Sequence, residues 1–128
     1  MRFFLPTIDR DLASSMEGVD FVMAYIEEAH AEDEWPISSG RFHDGVPVRV
    51  TQPRTLKERI AVANSFREKY SVTHCMTLVD NPETGNPFER TFAPWPIRFY
   101  VVLNGRIKYI ADPTDCEYSL AELQKRIF

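Results

Sequence analysis

Apolar residues recur along the 128-residue chain in two rhythms, one helical and one strand-like. Residues 7–16 follow Pro6 and carry Ile8, Leu12 and Met16 at i, i+4 and i+8, which predicts a short helix with one apolar stripe, ended by Gly18. From Phe21 to Ile26 the apolar residues are continuous and rich in Val, Ile and aromatics. A run of that length predicts a strand buried on both faces, as in α/β sheets covered by helices. Periodicity is lost over 32–54, where Trp35-Pro36, Ser38-Ser39-Gly40, Gly45 and Pro47 break the chain, apart from a strand-like alternation over 46–51. A loop of this length is usually functional or disordered. Thr55-Leu56-Lys57-Glu58 is a capping box, in which Thr55 accepts from the backbone three residues on and Glu58 reaches back. It predicts a helix over 56–70 with Leu56, Ile60, Ala63, Phe66 and Tyr70 on one face. Residues 73–79 form a second predicted buried strand, closed by Asp80-Asn81-Pro82 and a polar, Gly-containing loop. Strands at 97–103 and 106–111 flank Asn104-Gly105, the pattern of a type I′ hairpin. Ser119 to Glu122 repeats the capping pattern and opens a C-terminal helix with Leu120, Leu123 and Ile127 apolar.

The order helix, strand, helix, strand, strand in hairpin, helix is that of a thioredoxin-like α/β core, β-α-β-α-β-β-α, without its first strand. One domain, residues 1–128, accounts for it, and the length suffices to bury roughly two thirds of the unfolded surface. In that fold the absent strand is central, and the turn after it carries the nucleophile. Its place must then be filled by residues 1–5, by a partner chain or by nothing, and an unpaired strand beside it invites a homodimer.

Composition narrows the partners. With 15 basic and 19 acidic residues and a net charge of −4, the chain has no basic field for nucleic acid or an anionic membrane, and neither partner is expected. There is no apolar run of about 20 residues, and the N-terminus is too short for a signal peptide, which predicts a soluble, cytoplasmic chain. Cys75 and Cys116 form no C-x-x-C pair, so neither a redox pair nor a zinc site follows from spacing. Cys75 reads as a small buried core residue. Cys116, in an Asp-rich loop, has no cationic neighbour to activate it.

Candidate chemistry gathers at the carboxyl end of the first strand, where ligands of α/β sheets bind. There the chain runs Glu27-Glu28-Ala29-His30-Ala31-Glu32-Asp33-Glu34-Trp35. Most of these acids read as a solvated face. Glu28 and His30 with His43 and Asp44 offer carboxylate and imidazole to a divalent metal, but no zinc-like pair spacing exists and the loop would have to fold back, so no metal is expected. Trp95-Pro96 stands immediately before the third strand, where thioredoxin folds carry a cis proline facing the nucleophile; cis bonds are essentially confined to such X-Pro steps. Arg98 lies in an otherwise apolar strand, and either faces a site or pairs with a loop acid such as Asp33.

The segment Tyr25-Ile26-Glu27-Glu28-Ala29-His30, followed by Asp33 and Trp35, resembles the Y-I-E-E-A-H-x-x-D-x-W signature of iodothyronine deiodinases. The similarity continues in order through residues 52–59, Cys75 to Asp80, and Pro96-Ile97-Arg98-Phe99-Tyr100-Val101-Val102. The resemblance implies a thioredoxin-like selenoenzyme in which a selenocysteine attacks ring-bound iodine, releasing a reduced arene and a selenenyl iodide that thiols regenerate. It implies that Glu28 orients His30 and raises its basicity, and that His30 transfers protons beside the nucleophile. Arg98 would meet the anionic or phenolic part of a small halogenated aromatic substrate, Trp35 would form a wall for its ring, and Pro96 would line the site. No cofactor is implied beyond an external thiol reductant. The family's histidine in the loop before the capped helix falls on Pro53, which has no side-chain donor. The selenocysteine and its strand fall upstream of Met1, so an in-frame UGA or cysteine codon is expected there. Whether the chain is an enzyme therefore stays open, between a deiodinase-like oxidoreductase domain and a non-catalytic thioredoxin-like binding domain that keeps the His30 pocket for an aromatic ligand or a partner.

Overall fold

The computed structural model describes residues 4–37, 49–111 and 118–127. A helical turn, α1 (Phe4–Thr7), runs directly into a π-helical stretch, Ile8–Ala13, so the first helix starts earlier and ends sooner than its stripe predicts. Ile8 and Leu12 are buried as expected, and Gly18 takes positive φ after them. β1 (Val22–Tyr25) pairs in parallel with β2 (Met76–Val79), in a register that sets Met23 opposite Thr77 and Tyr25 opposite Val79. Between them lies α2 (Leu56–Tyr70), whose capping box forms with both of its reciprocal hydrogen bonds. β3 (Phe99–Leu103) and β4 (Arg106–Ala111) form the antiparallel hairpin, with Asn104 and Gly105 both at positive φ as a type I′ turn demands. A bulge between Val101 and Val102 shifts its register. α4 (Leu120–Ile127) closes the order, with the Ser119 hydroxyl accepting from the Glu122 amide.

The two strand pairs share no hydrogen-bonded ladder. Among the described residues the strands thus form two two-stranded sheets, one parallel and one antiparallel. Two apolar clusters join the pieces. Leu5, Met23, Val72 and Cys75 pack with Phe66 and Tyr70 of α2, while Ile8, Leu12 and Leu123 pack under Phe99 and Val101; Phe21 touches both clusters.

Several expectations need correction. β1 and β2 are not buried on both faces: Val22, Met76 and Leu78 are exposed. Side chains alternate across a strand, and α2 covers only the other face, where Tyr25 meets Phe66 edge-on at 5.9 Å. The buried side of α2 is centred on Arg59 and Ala63 rather than on Ile60, which is exposed. The segment after Asp80 is not plain loop, because it folds as a 3₁₀ turn (Pro82–Thr84) and a short helix, α3 (Pro87–Phe92). The Asp80 carboxylate accepts from the Phe88 and Glu89 amides at the start of α3. Of the alternation expected over 46–51, residues 46–48 lie outside the described residues and 49–51 form no strand.

Candidate functional site

Past Tyr25 the chain leaves β1 and turns tightly around the fully buried Ala31. Gln52 holds that turn in place. Its side-chain carbonyl accepts from the Glu28 amide at 3.0 Å, its Nε2 donates to the Glu28 carbonyl and to Glu34, and its own amide donates to Asp33 at 2.8 Å. Arg54 pairs with Glu34 and the Glu32 amide donates to the Val50 carbonyl. Asp33 and Glu34, expected as part of a solvated acidic face, are thus engaged in fastening the returning segment.

Within this frame the Glu28 carboxylate accepts a hydrogen bond from the Tyr25 hydroxyl. Burial, then the negative charge of Glu28, pushes the Tyr25 hydroxyl far above its ordinary value, so it remains a donor. No hydrogen bond joins Glu28 to His30. The imidazole is oriented by a backbone group instead, since His30 Nδ1 lies 3.1 Å from the Trp35 carbonyl. A carbonyl only accepts, so Nδ1 carries the hydrogen and Nε2 of the neutral ring keeps its lone pair. The ring also packs on the Trp35 indole, centroids 4.9 Å apart. Trp35 in turn stacks on Trp95 at 6.4 Å and 21°, and the Trp95–Pro96 peptide bond is cis. Residues 60 positions apart in sequence meet here as His30, Trp35, Trp95 and Pro96. Arg98, two residues on, is half-buried and donates to the Ile97 carbonyl at 3.1 Å.

A second polar cluster occupies the carboxyl ends of β1 and β2. Arg59, only 1% exposed, donates to the Asp80 carbonyl, to Asn86 and to the Pro53 carbonyl, while its Nε has no partner. Glu89 sits beside it with Oε2 buried and unpartnered. Burial, then the charges of Glu27 and Asp80, pushes the Glu89 carboxyl up against the opposing pull of Arg59. Cys75 is buried, and burial, followed by the neighbouring Asp9, pushes its thiol up to about 12. It is a core residue without thiolate character. Cys116 lies outside the described residues, as do His43 and Asp44. Among the described residues no three His, Cys, Asp or Glu side chains gather as metal ligands would.

Tyr25, Gln52 and Trp95 are the site residues that sequence reasoning passed over. For Trp95 a signal existed: the chain has two tryptophans and each precedes a proline.

The pattern of the iodothyronine deiodinase family matches residues 3–127. The chain belongs to the iodothyronine deiodinase family. A type I iodothyronine deiodinase of Xenopus laevis is 30% identical over 90 residues, covering 70% of this chain and 31% of that protein. The thyroxine 5-deiodinases of Sus scrofa and Homo sapiens are each 27% identical over 106 residues, covering 83% of the chain and 32% of theirs. The chain spans about a third of the length of these relatives. Family membership agrees with the α/β, thioredoxin-like order of elements described above. Among the described residues no helix is long and apolar enough to cross a membrane.

Proposed function

We propose that this chain supplies the proton-handling and ring-binding half of a reductive dehalogenation site acting on an iodinated aromatic. The observation that carries the reading is the placement of His30: its Nδ1 lies 3.1 Å from the Trp35 carbonyl and its ring lies against the Trp35 indole, which leaves Nε2 as the ring nitrogen for chemistry. In this reaction a selenolate or thiolate attacks iodine, the aryl–iodine bond breaks, and the ring carbon takes a proton. The products are the arene and a selenenyl or sulfenyl iodide; two equivalents of thiol then return the nucleophile, releasing iodide, a proton and a disulfide. His30 would take the proton of the selenol or thiol at Nε2 and deliver it to the ring carbon, while Tyr25 and Glu28 fasten the strand end that carries it. Arg98 would face the phenolic or carboxylate end of the substrate.

The nucleophile is not among the described residues, since Cys75 is buried and its thiol pushed up. In a form of the protein that carries the selenol or thiol nucleophile, iodide release from 4-iodophenol in the presence of a dithiol should fall at least 100-fold in His30→Ala, with the melting temperature within about 2 °C of the parent because a loop-tip ring adds little to the core. Equal loss of rate and stability would assign His30 a structural role. The inert Cys75 favours a second reading, a binding domain that keeps the aromatic site and performs no chemistry; such a domain would bind iodophenol and release no iodide.

A further inference from the structure

We propose that Gln52 is a positioning residue for His30, a clasp on the turn that decides which imidazole nitrogen carries the hydrogen. The inference rests on the reading above for the chemistry at His30, but the state of the ring can be observed without turnover. Gln52 is 5% exposed, so each polar atom of its side chain needs a partner inside the protein. Each has one, and the partners lie at both ends of one turn. At the near end Oε1 accepts from the Glu28 amide and Nε2 donates to the Glu28 carbonyl; at the far end the same Nε2 donates to Glu34 Oε2, all at 3.0 Å. Both N–H donors of the amide are thereby used. A glutamate in its place could accept from the Glu28 amide but could make neither donation, and an asparagine is one methylene shorter.

His30 and Trp35 face each other across that same turn, with Nδ1 3.1 Å from the Trp35 carbonyl. The Glu34 and Trp35 amides donate to the Ala31 carbonyl and give the turn its curl. Gln52 adds the tie between residue 28, where the chain leaves β1, and residue 34, which precedes the carbonyl that meets the imidazole. A solvated neutral imidazole prefers its hydrogen on Nε2. The Trp35 carbonyl reverses that preference, because it only accepts, but it does so only while the turn holds it against Nδ1. Released from Gln52, the two ends separate more freely, and the lone pair moves from Nε2, where the proposed proton transfer needs it, to Nδ1.

Nitrogen NMR of the 128-residue protein at alkaline pH, where imidazoles are neutral, reads the two tautomers of His30 directly. The parent should show Nδ1–H. In Gln52→Met, similar in length and without polar atoms, the ratio of Nδ1–H to Nε2–H should fall about fivefold or more, the worth of one ordinary hydrogen bond. Gln52→Glu should fall between the two. Arg54→Ala, which severs the exposed ion pair to Glu34 and spares the contacts to Glu28, should leave the ratio unchanged. Spectra are taken well below each variant's melting temperature, so a loss of stability alone does not move the ratio; if Gln52→Met fails to fold, Gln52→Glu decides. A parent ring found as Nε2–H, an unchanged ratio in the Gln52 variants, or an equal change in Arg54→Ala would each overturn the proposal. A nucleophile-bearing form that keeps the Nδ1–H ring and releases no iodide would instead refute the catalytic reading and leave this one standing.

Discussion

Asp9 and Glu89 are both acids drawn into the protein, and the protein treats them in opposite ways. Asp9, 1% exposed, accepts from the Thr73, His74 and Cys75 amides at 2.9, 2.9 and 2.6 Å, and lies 3.1 Å from His74 Nδ1. Burial is the largest single influence and raises its carboxyl, but the hydrogen bonds together outweigh it and hold the group well below the usual carboxylate range. Glu89 has a buried oxygen with no donor and two acids for neighbours, so the same burial wins. Burial alone therefore does not fix the charge of an acid; the supply of backbone donors does. The saturated carboxylate is a fastening, and the unsaturated one is a group able to titrate.

Removing the fastening gives the largest effect. Asp9→Ala orphans three backbone amides and should cost about 3–5 kcal/mol of unfolding free energy in urea. Asp80→Ala removes the acceptor of the Phe88, Glu89 and Asn81 amides from the neighbourhood of Glu89 and should cost about 2–3 kcal/mol. A smaller loss there would mean that water replaces the carboxylate at the start of α3. The third effect concerns pH. Because the folded value of Asp9 is depressed, its contribution is fully present above the ordinary aspartate value of about 3.9 and is lost as pH falls below it. Melting curves between pH 5 and 2 should show that slope in the parent and a flatter one in Asp9→Asn. Glu89 has the reverse sign: a raised folded value costs nothing at low pH and destabilises progressively as pH rises through and beyond the ordinary glutamate range. Glu89→Gln should thus stabilise by a few tenths of a kcal/mol at pH 7 and by nothing at pH 3. A destabilising Glu89→Gln would break the contrast.

The same contrast explains what was legible in the sequence. The bounds of α2 were readable to the residue because both halves of its capping box are written within four positions, Thr55 to Glu58. α3 escaped because its cap is Asp80, eight and nine positions from the amides it satisfies. Its other marker, Asn86-Pro87, reads equally as a turn. Arg59 sits in a run of charged residues that predicts solvent, yet it is buried against acceptors on Asp80 and Asn86, more than twenty positions away, and on Pro53. The exposure of Val22, Met76 and Leu78 was hidden because a strand's composition does not say which of its faces will find a cover. In the site, His30 and Trp35 were visible as residue types, whereas the carbonyl that orients the imidazole has no signature in side-chain chemistry.

The Asp9 fastening also bears on how the molecule comes together in time. Its hydrogen bonds close the chain between positions 64 to 66 residues apart, an encounter that costs about 4 kcal/mol of loop entropy before any bond rewards it. Contacts of such span form late, after α2 and the hairpin, whose contacts are local. Asp9→Ala should therefore accelerate unfolding and leave the folding rate nearly untouched. In the native protein the Thr73, His74 and Cys75 amides become a clock for the release of the first helix, exchanging their hydrogens only when residue 9 lets go.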